Sequence, residues 1–186
     1  MYSAGKGGAR LKFVQWTLAV FGILVLAAVA VGFFLPSRFE VSRSIVIAAP
    51  ADRVYDLIAD PRLWSKWSAW HERDPNMDIK YSGPPFGQGA KWSWKSRSEG
   101  AGQMEFVRVE PNRRVEFSLH FPDFNLRSGG AFDIEDARPN TKVTWTNAGD
   151  VGANPLKHYL ATFMDRLVGP DFEKGLANLK VAAEKP

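Results

Sequence analysis

The side chains with the most obvious chemical capacity are three histidines, His71, His120 and His158. They are widely spaced, and no H-x-x-x-H or H-E-x-x-H pattern joins them, so His71-Glu72 stands alone as a metal-ligand pair and does not define a metal site. A single neutral histidine inside an apolar cavity has another use: burial lowers its pKa, and the free imidazole can accept a proton. The alternative for each is a surface or hydrogen-bonding role. His120 has strand parity opposite to Phe117 and Phe121 and is expected to face away from them. Hydrolytic chemistry lacks its parts, because there is no G-x-S-x-G and no cysteine. Asp133, Glu135 and Asp136 form an acidic cluster that strand alternation and a turn explain as a solvated face. Gly83–Gly89 (GPPFGQG) lacks the G-K-[ST] of a phosphate loop. No cofactor or metal is expected.

Aromatic side chains are the second resource. Six of the seven tryptophans, Trp64, Trp67, Trp70, Trp92, Trp94 and Trp145, follow residue 36. Large aromatic rings fill a core, and they also line pockets for apolar ligands, which need only a few polar groups for orientation. Any one of these rings is accounted for by core packing. As a set they make some cavity lining the expectation.

The elements that must position these residues begin with a hydrophobic run. Trp16 to Leu35 is twenty residues without a charge, and at 1.5 Å per residue it matches a hydrocarbon core about 30 Å thick. Within that medium a helix satisfies every backbone polar group locally, and Pro36 is expected to end it. Ala28-Val29-Ala30 offers a signal-cleavage pattern, but the apolar run continues five residues beyond it. We therefore read residues 13–35 as a transmembrane helix, 1–12 as a basic cytoplasmic flank and 36–186 as the folded domain. The first 36 residues hold three of the 24 basic residues (Lys6, Arg10 and Lys12) and none of the 20 acidic ones. That flank favours a cytoplasmic N-terminus, with the domain in the periplasm of a bacterial inner membrane. The domain itself is close to neutral, which leaves little electrostatic footprint for nucleic acid.

The domain opens with Arg38–Ala48, in which Phe39, Val41, Ile45 and Ile47 alternate as in a half-buried strand. Pro50 and Asp52 start a helix, Asp60-Pro61 interrupts it, and a second short helix carries Trp64, Trp67 and Trp70. A β-meander follows. Trp92 and Trp94 share one strand face, Met104, Phe106 and Arg108 another, then Val115, Phe117, Leu119 and Phe121, then Phe132 and Ile134, then Val143 and Trp145. Asn154-Pro155 caps a long final helix. Its apolar positions are Leu156, Leu160, Met164, Val168, Phe172, Leu176, Leu179 and Ala183, in register across Gly169-Pro170, so one kinked helix is expected. Strands in a block with helices to one side predict an α+β domain.

The run VSRSIVIAAPADRVYDLIADPRLWSKWSAW, and GPDFEKGLANLK in the last helix, resemble the SRPBCC or START-like helix-grip superfamily, and within it the polyketide cyclase/dehydrase family. The resemblance covers Arg38 to about Glu184. It implies a seven-stranded antiparallel sheet wrapped around the C-terminal helix, with an apolar cavity between them for lipids, sterols, polyketides or other hydrophobic molecules. It does not imply a reaction. The expected lining is Trp67, Trp70, Trp92, Trp94, Phe106, Phe117, Phe132 and Trp145, with Met164 from the helix, and Gly83–Gly89 is expected at the cavity rim. Three readings follow: a membrane-anchored binding domain for a hydrophobic small molecule or lipid, a cyclase- or dehydrase-type enzyme, and an accessory subunit of a membrane complex. The protein partner is left open.

Overall fold

The computed structural model of the chain describes residues 6–185, with side chains from residue 12 onward; Lys6 and Arg10 of the basic flank lie outside the described side chains. Helix α1 runs Lys6–Gly32, and within it Lys12–Gly32 is long and apolar enough to cross a membrane; most of that stretch is exposed, and Gly32 at its end is buried. The helix ends earlier than Pro36 requires. Phe34 and Leu35 turn back onto Val31 and Gly32 through three-residue hydrogen bonds of 2.9 and 3.2 Å, so the last turn tightens before the proline is reached.

Strand β1 (Arg38–Ile47) leads into α2 (Ala51–Ala59), a 3₁₀ turn over Pro61–Lys66 and α3 (Ala69–Arg73). Asp60 caps that turn by accepting from the Arg62 amide, with Pro61 at the first position, where its missing N–H costs nothing. Six further strands follow: β2 (Asp78–Ser82), β3 (Lys91–Lys95), β4 (Ala101–Glu110), β5 (Arg114–Phe121), β6 (Leu126–Ala137) and β7 (Asn140–Asp150). All seven form one antiparallel sheet in the order β1-β7-β6-β5-β4-β3-β2. The meander closes when β1 pairs with β7 from Arg38↔Asp150 to Ile47↔Thr141. The fold is thus α+β, with a long helix, α4 (Pro155–Glu184), packed on the sheet, most extensively along β1.

Two local expectations are corrected. Arg108 does not join Met104 and Phe106, because a β-bulge between Phe106 and Arg108 shifts the register; Val109 packs on the core instead and Arg108 points to solvent. The apolar stripe of α4 does not begin at Leu156. The buried face starts at His158 and Ala161 and continues through Met164, Phe172, Leu176, Leu179 and Ala183, whereas Leu156 and Leu160 are exposed.

Pro170 sits inside α4 without ending it. Lacking an N–H, it removes one intrahelical hydrogen bond, and β1 grips the helix on both sides of that point. Arg43 of β1 donates to Asp165 (2.7 and 3.1 Å) and to Glu173 (2.7 Å), one on each side of the proline. Its guanidinium lies so close to Gly169 that a Cβ there would fall 2.1 Å from Nη2.

A cavity between the sheet and the C-terminal helix

The W-x-x-W-x-x-W run places three indoles on the short helical segment, and the fates of the three differ. Trp64 donates to the Ile58 carbonyl (2.8 Å) and Trp67 to the Leu57 carbonyl (3.0 Å), so both rings are keyed to the end of α2 and buried. Trp64 is the hub of an aromatic cluster, with Trp67, Trp92, Phe106, Phe132 and Trp145 all between 4.7 and 6.2 Å from it. Trp70 reaches forward to donate to Asp171 of α4 (3.1 Å). There it packs edge-on against Trp145 and Phe172.

Beside this cluster lies a cavity of about 160 Å³. The strands supply Trp92, Trp94, Phe117 and Trp145, α3 supplies Trp70, and α4 supplies Met164, Val168 and Phe172. Of the nine expected residues, six border this space: Trp70, Trp92, Trp94, Phe117, Trp145 and Met164. Trp67, Phe106 and Phe132 do not. Their rings fill the layer behind the wall, where Trp67 lies edge-on to Phe132 at 6.0 Å and Phe106 lies edge-on to Trp92 at 5.2 Å. Strand parity identifies the inward face but not how far along it the helix descends, so Phe106 and Phe132 could not be separated from the other strand residues by pattern alone.

Gly83–Gly89 is not at the rim. Gly87 donates to the Ala59 carbonyl, Gly89 to the Phe106 carbonyl, and Phe86 packs edge-on to Tyr55 at 5.6 Å. The loop is fastened to α2 and β4, and none of its residues borders the cavity.

The polar part of the wall was the least legible. Ser68, His71, Glu99, Ser128 and Asn147 border the cavity. Among the described residues, the Ser68 hydroxyl, both His71 ring nitrogens, the Trp145 indole N–H and the Asn147 side-chain oxygen are buried without a hydrogen-bond partner. Buried polar groups are normally paired, so five orphaned atoms on residues of one small cavity are a distinct chemical feature. Burial holds the His71 pKa below its ordinary value, which favours the neutral ring. Asn147 is inward-facing by its spacing from Trp145, but a polar side chain at that position does not mark a cavity wall in the sequence. Glu99 is engaged elsewhere: Arg73 bridges it (2.7 and 3.0 Å) to Asp171, and the guanidinium holds the Glu99 carboxyl below the usual range. His120 lies on β5 away from the cavity. His158 instead joins two carbonyls, of Gly32 (2.8 Å) and Gly152 (2.9 Å). Among the described residues, no group of three His, Cys, Asp or Glu side chains is placed to hold a metal ion.

A sequence model of the family described as "Polyketide cyclase / dehydrase and lipid transport" matches residues 38–184. No curated protein sequence matches the chain. Among solved structures, a protein from Arthrobacter aurescens superposes with a TM-score of 0.59 at 14% identity, covering 80% of this chain and 87% of its own. A protein from Thermus thermophilus gives 0.57 at 18%, covering 77% and 96%. CalU16 from Micromonospora echinospora gives 0.52 at 16%, covering 79% and 85%. At such identities the likeness is one of fold.

Proposed function

The chain belongs to the polyketide cyclase/dehydrase and lipid transport family, and on that premise we propose that its folded domain binds a hydrophobic small molecule or lipid in the internal cavity while α1 holds it at a membrane. The observation that carries the reading is the wall itself: apolar and aromatic almost throughout, with a few unpartnered polar atoms to orient a guest. The volume bears on the ligand. A void of roughly 150 Å³ accommodates a benzene-sized guest, so about 160 Å³ suits one substituted ring or a short stretch of acyl chain rather than a whole phospholipid. Cavity-facing charge is confined to Glu99, already paired with Arg73, which favours a neutral ligand carrying a hydrogen-bonding group. The wall residues proposed to touch it are Trp70, Trp92, Trp94, Phe117, Trp145 and Met164.

In this reading residues 13–35 span a bacterial inner membrane, the basic flank remains cytoplasmic, and the domain stands in the periplasm. The basic bias of the flank supports that orientation. The test is native mass spectrometry of the full chain purified in mild detergent, followed by extraction. A defined hydrophobic molecule at one per chain is expected; repeated purification without any, and no uptake of added ring-sized or acyl ligands, overturns the reading.

A second reading, an enzyme of cyclase or dehydrase type, is favoured by one observation: His71 borders the cavity without a hydrogen-bond partner, and burial lowers its pKa from the ordinary value. Its imidazole is suited to accept a proton from a bound substrate. A product that differs chemically from the added ligand, and no longer forms in His71→Gln, distinguishes it from simple binding.

A further inference from the structure

The first half of α4 carries a second apolar face, separate from the one that meets the cavity. Leu156, Leu160, Phe163 and Leu167 follow one another at intervals of four, three and four residues, which puts them on one side of a helix. They are 55%, 38%, 46% and 58% exposed. Seven, eleven and fourteen residues beyond Leu167 the same side carries Lys174, Asn178 and the single apolar Val181, so the continuous apolar face is confined to the half before Pro170.

This face begins where α1 ends. Gly32 is pressed so closely on Pro155 that a Cβ would sit 2.4 Å from the Pro155 oxygen. His158 meets the Gly32 carbonyl, and the Tyr159 hydroxyl donates to the Ala28 carbonyl (2.7 Å). The contacts step back along α1 as they step forward along α4. The opening turn of α4 therefore lies beside the last turn of α1, at its depth, and does not continue away from it. Phe33 and Phe34, at the same level, are exposed. The β5–β6 turn joins them, because Lys157 donates to the Phe124 carbonyl (3.1 Å) and the Phe124 ring is exposed.

Charge fits a lipid surface. Lys157 and Arg166 border the stripe, with Arg166 5.9 Å from the centre of the Phe163 ring, while Asp165 is paired with Arg43. An apolar helix face edged by cations is the composition of a helix lying in a membrane interface, its long basic side chains reaching for phosphates.

We propose that Leu156, Leu160, Phe163 and Leu167, with Phe124 and Phe34, lie in the headgroup region of the bilayer that α1 enters. Met164 and Val168 of the same turns line the cavity, so this half-helix is the partition between cavity and lipid. The proposal rests on reading α1 as a membrane anchor. The sequence has no cysteine, which permits single spin labels on Phe21→Cys, Phe163→Cys, Leu167→Cys and Val181→Cys. Each full-length chain is reconstituted in phosphatidylcholine/phosphatidylglycerol vesicles, and relaxation by oxygen is compared with relaxation by an aqueous nickel chelate.

Positions 163 and 167 are expected to show an oxygen-to-nickel ratio several-fold above that of position 181, which is as exposed as Leu167 but on the far half of α4. If position 21 reads as lipid while 163 and 167 read as water, the proposal fails and the anchor stands. If 163 and 167 are shielded from both reagents, or broaden by spin–spin coupling, a protein surface covers the face and the proposal fails. An aqueous reading at position 21 removes the anchor and the proposal together.

Discussion

The indole of Trp145 and the ring of Phe172 lie 3.9 Å apart between centroids and 7° from parallel. One belongs to β7 and the other to α4, and both border the cavity, so this stack sets the distance between sheet and helix at the binding space. Phe172→Ala removes it, and a loss of about 3–5 kcal/mol is expected from the deleted ring and the void left behind. Denaturant unfolding measures the loss. An effect below about 1 kcal/mol, within the range of surface substitutions, would show that the stack contributes little.

Trp94 depends on the absence of a side chain opposite it. It pairs with Gly102 across β3 and β4, and a Cβ on Gly102 would lie 2.2 Å from the ring edge. A planar ring already edge-on to Phe121 at 5.8 Å has little room to withdraw. Gly102→Ala is expected to cost about 1–3 kcal/mol, as overpacking does, and to move a cavity wall. Near-ultraviolet circular dichroism should change in the tryptophan bands, and bound ligand should fall. Unaltered spectra and occupancy would refute the link.

His71 imposes a direction on the pH dependence. Burial lowers its folded-state pKa below the ordinary value of 6.5, so the unfolded chain binds the proton more readily. Stability from this group is complete above 6.5 and declines as pH falls below it, toward the lower folded value. The stability of the native chain minus that of His71→Gln should therefore be smaller at pH 5 than at pH 7. Equal differences at both values would mean that the ring is solvated.

Arg43 is expected to hold the two halves of α4 in one position. The hydrogen bond from Arg43 keeps the Asp165 carboxyl below its ordinary pKa. The corresponding stability is present above the ordinary carboxylate range and is lost as pH falls through the depressed value. In Arg43→Gln the Asp165 pKa, followed by NMR, should return toward that range. Backbone amides around Pro170 should exchange faster with solvent. Unchanged exchange would show that the helix needs no brace there.

Much of the architecture is legible because it follows from periodicity. Phe39, Val41 and Ile47 alternate, Val115 to Phe121 repeat the pattern, and Asn154-Pro155 marks the start of α4 by cap chemistry. What escapes is anything decided by a third element. Arg108 is displaced by a bulge that depends on pairing with β5. Leu156 and Leu160 fit a helical stripe as well as Met164 does, but the sheet covers only one side of it. Trp67 and Trp70 have the same residue type three positions apart, yet one is keyed to Leu57 and the other opens on the cavity. Polar wall residues escape for a different reason. Ser68 and Asn147 are ordinary in sequence, and only their burial without partners makes them unusual.

The seat of α1 on α4 has a mechanical consequence. Gly32, Pro155, His158 and Tyr159 join without a slack segment, so the junction transmits rotation instead of absorbing it. A membrane-spanning helix answers a thinner bilayer by leaning over. With α1 in that role, a change in bilayer thickness would swing the whole domain through a similar angle, like a rudder fixed to its post.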